Sequence, residues 1–225
     1  MATVPLLDFA SVAVFALTGA LVASRSQLDI VGFVFVACLT ALGGGTVRDV
    51  LLNRDAVFWM AEPLYLGVAS AAAVLVFLTA HRVESRYRLL LWLDACALAV
   101  AVPAGVAVSM AMGAGWPVVL VMGMITGCLG GLMRDVVCNE VPLVLKEGEL
   151  YVTCAIAGAG AALLARAAGL PPPVTLAFCG AVVLGLRAGS LAFGWRLPVY
   201  RTRPPRPEAP KRHPVNPPDR DRTDA

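Results

Sequence analysis

Seven apolar stretches follow one another along the chain, each close to the roughly 20 residues a helix needs to cross a bilayer. They lie near residues 6–24, 30–47, 63–80, 89–109, 117–134, 149–167 and 174–194. Polar punctuation separates them. Arg25-Ser26-Gln27 ends the first, Glu62-Pro63 opens the third, and the run from His81 to Arg88 closes the third. Gly113-Ala114-Gly115-Trp116-Pro117 divides the fourth from the fifth, and Pro171-Pro172-Pro173 precedes the seventh. Beyond Leu197 the chain turns Pro- and charge-rich, which predicts a disordered tail over 199–225. The pattern predicts an all-α membrane protein with seven transmembrane helices.

The polar positions within these stretches repeat. A gap-free shift of 86 residues lays Leu7-Asp8 on Leu93-Asp94, Gly19 on Gly105, Thr40 on Thr126, Asn53 on Asn139 and Leu64-Tyr65 on Leu150-Tyr151. The same shift lays Gly44-Gly45 and Arg48-Asp49 on Gly130-Gly131 and Arg134-Asp135. Ala and Val matches are expected by chance in so apolar a chain, so the Asp, Arg, Asn, Tyr and Gly matches carry the inference of a duplicated unit. Helices one to three then correspond to four to six, which divides the chain into 1–88, 89–170 and a lone seventh helix in 171–198. Three is odd, so the second copy enters the membrane from the opposite side. The two copies are expected to be inverted, as in transporters that bind solute between such repeats.

Composition agrees with a bilayer setting: 59% hydrophobic and 15% charged, with mean hydropathy +0.78. The net charge of +3 reflects topology and gives no basic-aromatic surface for nucleic acid. Arg25, Arg82, Arg86, Arg88, Lys146 and the tail residues Arg196, Arg201 and Arg203 fall on one side, against Arg54 and Arg166 on the other. The positive-inside rule places the first group in the cytoplasm. The expectation is a plasma (cell inner) membrane protein with its N-terminus outside and its C-terminus cytoplasmic. The opening stretch lacks a basic n-region, so no cleavable signal is expected.

The chemistry-bearing residue types exclude more than they suggest. Cys38, Cys96, Cys128, Cys138, Cys154 and Cys179 are scattered, without a C-x-x-C pair, and read as small packing residues. His81 and His213 are flanked by basic residues. No nucleophile–base pair, HExxH or P-loop occurs, so neither an enzyme nor a cofactor is expected. What remains is Gly43-Gly44-Gly45 before Arg48-Asp49, and Gly130-Gly131 before Arg134-Asp135. A glycine run inside a membrane helix either breaks it beside an aqueous cavity or lets helices approach closely, as Gly123-x-x-x-Gly127 and Gly185-x-x-x-Gly189 also suggest. Two runs at matched positions, each followed by Arg-Asp, favour the break.

Ionisable groups at membrane depth face a bundle interior or an aqueous path, whereas an Arg near a helix end can snorkel to the headgroups. Adjacent helix positions do not face each other, so each Arg is expected to pair across the pseudo-two-fold: Arg48 with Asp135, Arg134 with Asp49. Asp8 and Asp94, at the outset of helices one and four, read as helix N-caps or as pathway carboxylates. Arg187, in the seventh helix, has no counterpart in the repeat and would snorkel or support the bundle. Tyr65 and Tyr151 read as interfacial belt anchors.

The doubled Gly-Gly-x-x-Arg-Asp, with Leu186-Arg187-Ala188-Gly189 and Phe193-Gly194-Trp195-Arg196-Leu197-Pro198, resembles the prokaryotic trimeric intracellular cation channels, a repeat also labelled a glycine transporter domain. The resemblance spans about residues 1–198. It implies a 3+3+1 inverted fold, a homotrimer in the lipid bilayer, and an ion path within each protomer for K⁺ and, less well, Na⁺. It further implies that the second and fifth helices bend at Gly43, Gly44, Gly45, Gly130 and Gly131 and line that path, with Arg48 and Arg134 alongside. Leu129 stands where a full second triplet would place glycine. The alternatives are a secondary transporter for glycine or another small solute, and a non-transporting membrane scaffold.

Overall fold

The computed structural model describes residues 3–82, 86–146 and 149–198. The expected tail, 199–225, lies outside the described residues. Within them the chain forms eight α-helices: α1 (Thr3–Arg25), α2 (Ile30–Leu51), α3 (Phe58–Ala61), α4 (Leu64–Thr79), α5 (Arg86–Ala111), α6 (Trp116–Val137), α7 (Val152–Ala167) and α8 (Pro172–Phe193). The short α3 is a helix the hydrophobic pattern did not predict. At four residues it is too short to register in a 20-residue reading. Five helices (α1, α2, α5, α6, α8) are long and apolar enough to cross a membrane, and α4 and α7 are shorter apolar helices of 16 residues each.

Local signals explain the boundaries. Asp29 caps α2 by accepting the Gly32 N–H at 2.8 Å. Pro171 precedes α8, and Gly194 ends it in the left-handed conformation at φ 69°. The 86-residue correspondence extends to the turns. Gln27 and Gly113 take φ of 54° and 71° after α1 and α5, and Asn53 and Asn139 take 51° and 54° after α2 and α6. Asn tolerates this left-handed position, and both copies use it to close the helix with the same hydrogen bonds. Asn53 N–H reaches Val50 and Asn139 N–H reaches Val136, each at 3.1 Å.

Buried apolar residues divide into two clusters. One is built mainly from α1, α2 and α4 (Phe15, Val36, Ala69), the other from α5 to α8 (Val102, Ala159, Val183). They meet where α1 packs on α5 and α2 on α6. At the α2–α6 crossing a Cβ at Gly44 would overlap the Thr126 carbonyl oxygen, and one at Gly130 would overlap the Thr40 carbonyl oxygen. Residue 44 against 126 is thus mirrored by 130 against 40, the reciprocity a two-fold exchange produces. Gly19 and Gly105 repeat the device one layer away: their Cβ atoms would meet the Thr40 and Thr126 hydroxyls at 2.6 and 2.5 Å.

These contacts correct the expected helix break, since both α2 and α6 run as uninterrupted α-helix through their glycines. The glycines serve close backbone approach, which a membrane rewards because association there rests on van der Waals packing. Gly123 and Gly127 do the same against Val102, Val106 and Leu98 of α5. Gly189 lies under the Trp195 ring, while Gly185 has nothing within 4 Å. Pro103, inside α5, removes the donor that would bind the Ala99 carbonyl. Gly180 of α8 packs over that oxygen, where a Cβ would come within 2.7 Å.

Candidate functional site

One helical turn past the glycine crossing, each copy buries an arginine completely. Arg48 and Arg134 are both 0% exposed, as is Arg187. The expected exchange of partners between copies does not occur. Arg48 Nε donates to Asp49 at 2.7 Å and Nη1 to Asp8 at 2.8 Å. Arg134 Nε donates to Asp135 at 2.7 Å and Nη1 to Asp94 at 3.1 Å. Each pairing stays within its own repeat. The two-fold exchange sends the chains in opposite directions from the crossing, so residues one turn beyond it move apart. Bonding to the adjacent Asp is possible because α2 and α6 are each packed by other helices on several sides. Two neighbouring positions can then both point inward, and the guanidinium folds back so that Nε meets the carboxylate.

Asp8 and Asp94 are therefore counter-ions and not helix caps: both sit inside their helices, 5% and 0% exposed. The second oxygen of each motif carboxylate holds the returning loop. Asp49 Oδ2 accepts the Phe58 N–H at the start of α3, and Asp135 Oδ2 accepts the Leu143 N–H at a 3-10 turn, Leu143–Leu145, both at 2.9 Å. These two donors are 85 residues apart, so the register slips by one where the loops diverge.

Around this shared frame the copies differ. In the first, Arg54 adds a second cation to Asp49 at 3.2 Å, and the Phe58 ring lies 5.4 Å from the Arg48 guanidinium carbon. A Cβ at Gly45 would strike that ring at 2.6 Å. In the second copy the equivalent point beside Gly131 is bounded by polar atoms: Tyr151 Oη at 3.2 Å, Asp94 Oδ1 at 3.5 Å and Arg134 Nη2 at 3.6 Å. Position 140 is Glu, and it turns away to pair with Arg25 at 3.2 Å.

Tyr65 and Tyr151 are buried, 3% and 1% exposed, which corrects their reading as belt anchors. Tyr65 stacks on Phe9 at 3.9 Å, and Tyr151 lies 5.0 Å under the Arg187 guanidinium. Arg187 neither snorkels nor stands alone, since its Nη2 donates to Glu149 at 2.8 Å. Glu149 and Phe58 are the participants that sequence reading missed. Neither has a like partner at the 86-residue shift, where Pro63 and Val144 stand, so only Glu149's place two residues before the duplicated Tyr151 hinted at it.

By charge, the first cluster holds Arg48 and Arg54 against Asp8 and Asp49 and is neutral. The second holds Arg134 and Arg187 against Asp94, Asp135 and Glu149 and carries one excess negative charge. Among the described residues, buried polar atoms without a protein partner include Arg48 Nη2, Arg134 Nη2, and Arg187 Nε and Nη1. All but the first belong to the second cluster. Gly43 also faces α6, where a Cβ would come within 2.7 Å of the Met133 sulfur. It lines a groove of about 370 Å³ with Phe35, Thr46, Trp59 and Met133. Among the described residues no three His, Cys, Asp or Glu side chains gather as a metal site requires.

A family model described as Glycine transporter matches the chain twice, at residues 5–81 and 91–167. A UPF0126 membrane protein of Vibrio cholerae is 36% identical over 199 residues, 87% of this chain and 82% of the relative. The UPF0126 inner membrane protein YadS of Escherichia coli K12 is also 36% identical, over 86% of this chain and 94% of its own length. Among solved structures, the trimeric intracellular cation channel orthologue from Rhodobacter sphaeroides superposes with a TM-score of 0.83 at 40% identity, covering 86% of this chain and 100% of the other. A second such cation channel superposes with a TM-score of 0.79 at 26% identity, covering 89% and 98%. With both repeats matched and the whole bundle shared, the chain belongs to the Glycine transporter family, alongside the trimeric intracellular cation channels whose fold it has.

Proposed function

We propose that this protein is a cation channel, passing K⁺ and Na⁺ through each protomer of a homotrimer. The path runs between inverted repeats, 1–88 and 89–170, with the helix of 171–198 closing the second. Seven helices then span the bilayer, α4 and α7 included, with the N-terminus outside and the C-terminus cytoplasmic. The observation that carries this reading is the duplicated, fully buried Arg–Asp cluster beside the α2–α6 crossing. Buried charge in a membrane is costly and marks an ion or solute route. The partnerless polar atoms of the second cluster supply hydrogen-bonding groups to a hydrated path.

Arg48, Asp49, Asp8, Gly44 and Gly45 form one half of this path, and Arg134, Asp135, Asp94, Gly130 and Gly131 the other, with Arg187 at its flank. Carboxylate pairing is what makes a cation path compatible with arginine. Arg48 and Arg134 are each matched by two carboxylates, and Arg54 and Arg187 by one, so a passing ion meets a neutral or slightly negative wall. The assembly and ion class follow the solved relative at 40% identity, a trimeric cation channel.

Purified protein in a planar bilayer under a K⁺ gradient tests the proposal: unitary currents should reverse near the K⁺ potential. The family model's description favours a second reading, transport of glycine by alternating access. Silence from protein shown to be folded and inserted, together with saturable glycine uptake into vesicles, would replace the channel by that transporter.

A further inference from the structure

At the end of the bundle where α1, α7 and α8 meet α5, a cavity of about 410 Å³ opens between the helices. Val4 of α1, Ala107 and Met110 of α5, Arg166 of α7, and Thr175 and Leu176 of α8 line it. Its volume falls within the range of small-molecule sites, about 300–1,000 Å³. The walls are mostly apolar, with Arg166 and Thr175 as the polar side chains. Thr175 contributes no free hydroxyl donor, because its Oγ1 is bonded to the Leu170 carbonyl at 3.3 Å. Arg166 is exposed in the last turn of α7, and no carboxylate among the described residues lies within ion-pair distance of it.

The Leu164, Ala165 and Arg166 carbonyls at the end of α7 accept the Ala168, Leu170 and Gly169 N–H groups at 2.9 to 3.1 Å, which turns the chain tightly toward α8. The cavity also borders the first turn of α8, whose N-cap, Pro171, makes no side-chain hydrogen bond. A helix start carries partial positive charge that favours an anion. The site thus combines an apolar slot, opening at one end of the bundle, with an unneutralised cation at its mouth.

We propose that this cavity holds an acyl chain of an anionic glycerophospholipid whose phosphate sits against Arg166. An acyl chain gains no hydrophobic energy by moving from bilayer to protein, since lipid tails are as apolar as the walls. The apolar lining therefore admits the chain without choosing among lipids. The choice falls to Arg166, which favours a net negative headgroup over a zwitterionic one. The site lies outside both Arg–Asp clusters and does not depend on the ion path.

The test is native mass spectrometry of the full-length protein released from vesicles of equal phosphatidylglycerol and phosphatidylcholine. Wild type should retain phosphatidylglycerol preferentially. Arg166→Gln should lower that preference by about fivefold, the worth of one basic residue near an anionic surface, while leaving folding intact. Ala107→Phe, which fills the slot, should reduce retention of both lipids; Ala111→Leu at the exposed rim checks this without altering a buried position. An unchanged preference in Arg166→Gln overturns the proposal. So does equal displacement of phosphatidylglycerol by oleate, which would assign the site to a free fatty acid. Loss of trimers in Ala107→Phe with lipid retention unchanged would overturn it too, marking the face as a contact between protomers.

Discussion

The two repeats use the same arginine, the same pair of aspartates and the same glycine crossing, yet they finish their clusters differently. The first is sealed by protein: Arg54 lies on Asp49, and Phe58 fills the space at Gly45. The second is left polar, with Tyr151, Asp94 and Arg134 facing the point beside Gly131 and Arg187 reached through Tyr151. Duplication therefore preserved the pairing frame while the loops, which tolerate change, diverged. A buried cluster completed by protein is rigid, whereas one with partnerless groups depends on water or ions.

The largest test of this difference removes each arginine. Arg134→Ala leaves Asp94 and Asp135 buried without a counter-ion and should cost about 3–5 kcal/mol, read as thermal unfolding in one detergent. Arg48→Ala should cost less, because Arg54 remains on Asp49. Equal losses would show that the extra cation contributes nothing.

At the crossing, Gly44→Ala and Gly130→Ala should destabilise alike, by about 1–3 kcal/mol, since each forces a methyl against a backbone oxygen. Loss of trimers or of thermal stability in only one would break the reciprocity. One step along, the copies should part again. Gly45→Ala collides with Phe58 and should regain stability when combined with Phe58→Leu. Gly131→Ala meets only polar atoms at 3.2–3.6 Å and should cost about 1 kcal/mol or less. On the proposed path it should still lower unitary conductance; equal conductance in wild type and Gly131→Ala would place the route elsewhere. The smallest effect belongs to Arg25→Gln. Its bond to Glu140 is partly exposed, so the change should stay within about 1 kcal/mol and shrink with salt.

Much of the frame was legible in the residues. Hydrophobic length located the seven long elements, and α2 and α7 illustrate its accuracy: expected over 30–47 and 149–167, they run Ile30–Leu51 and Val152–Ala167. Rare residues in an apolar chain marked the buried ion-pair clusters, because Asp8, Arg48, Asp49 and their counterparts at 94, 134 and 135 had no reason to recur by chance. Pairing was not legible. Asp8 and Arg48 are 40 residues apart, and only the packing of α1 on α2 brings them within 2.8 Å. Glycine was ambiguous for a similar reason: a flexible residue and a thin one are the same residue. The oxygen of Thr126, one helix away, is what makes Gly44 a contact and not a hinge.

The sequence by itself thus determined a duplicated, all-helical membrane chain and the residues too costly to bury without purpose, since composition and period are properties of the chain alone. Tertiary structure decided who neutralises whom, which glycines carry the crossing, and which copy is sealed. Those outcomes depend on distances between helices that share no local sequence, and burial turns a difference in the returning loop, Phe58 in one copy against Leu143 in the other, into a difference between a closed cluster and an open one.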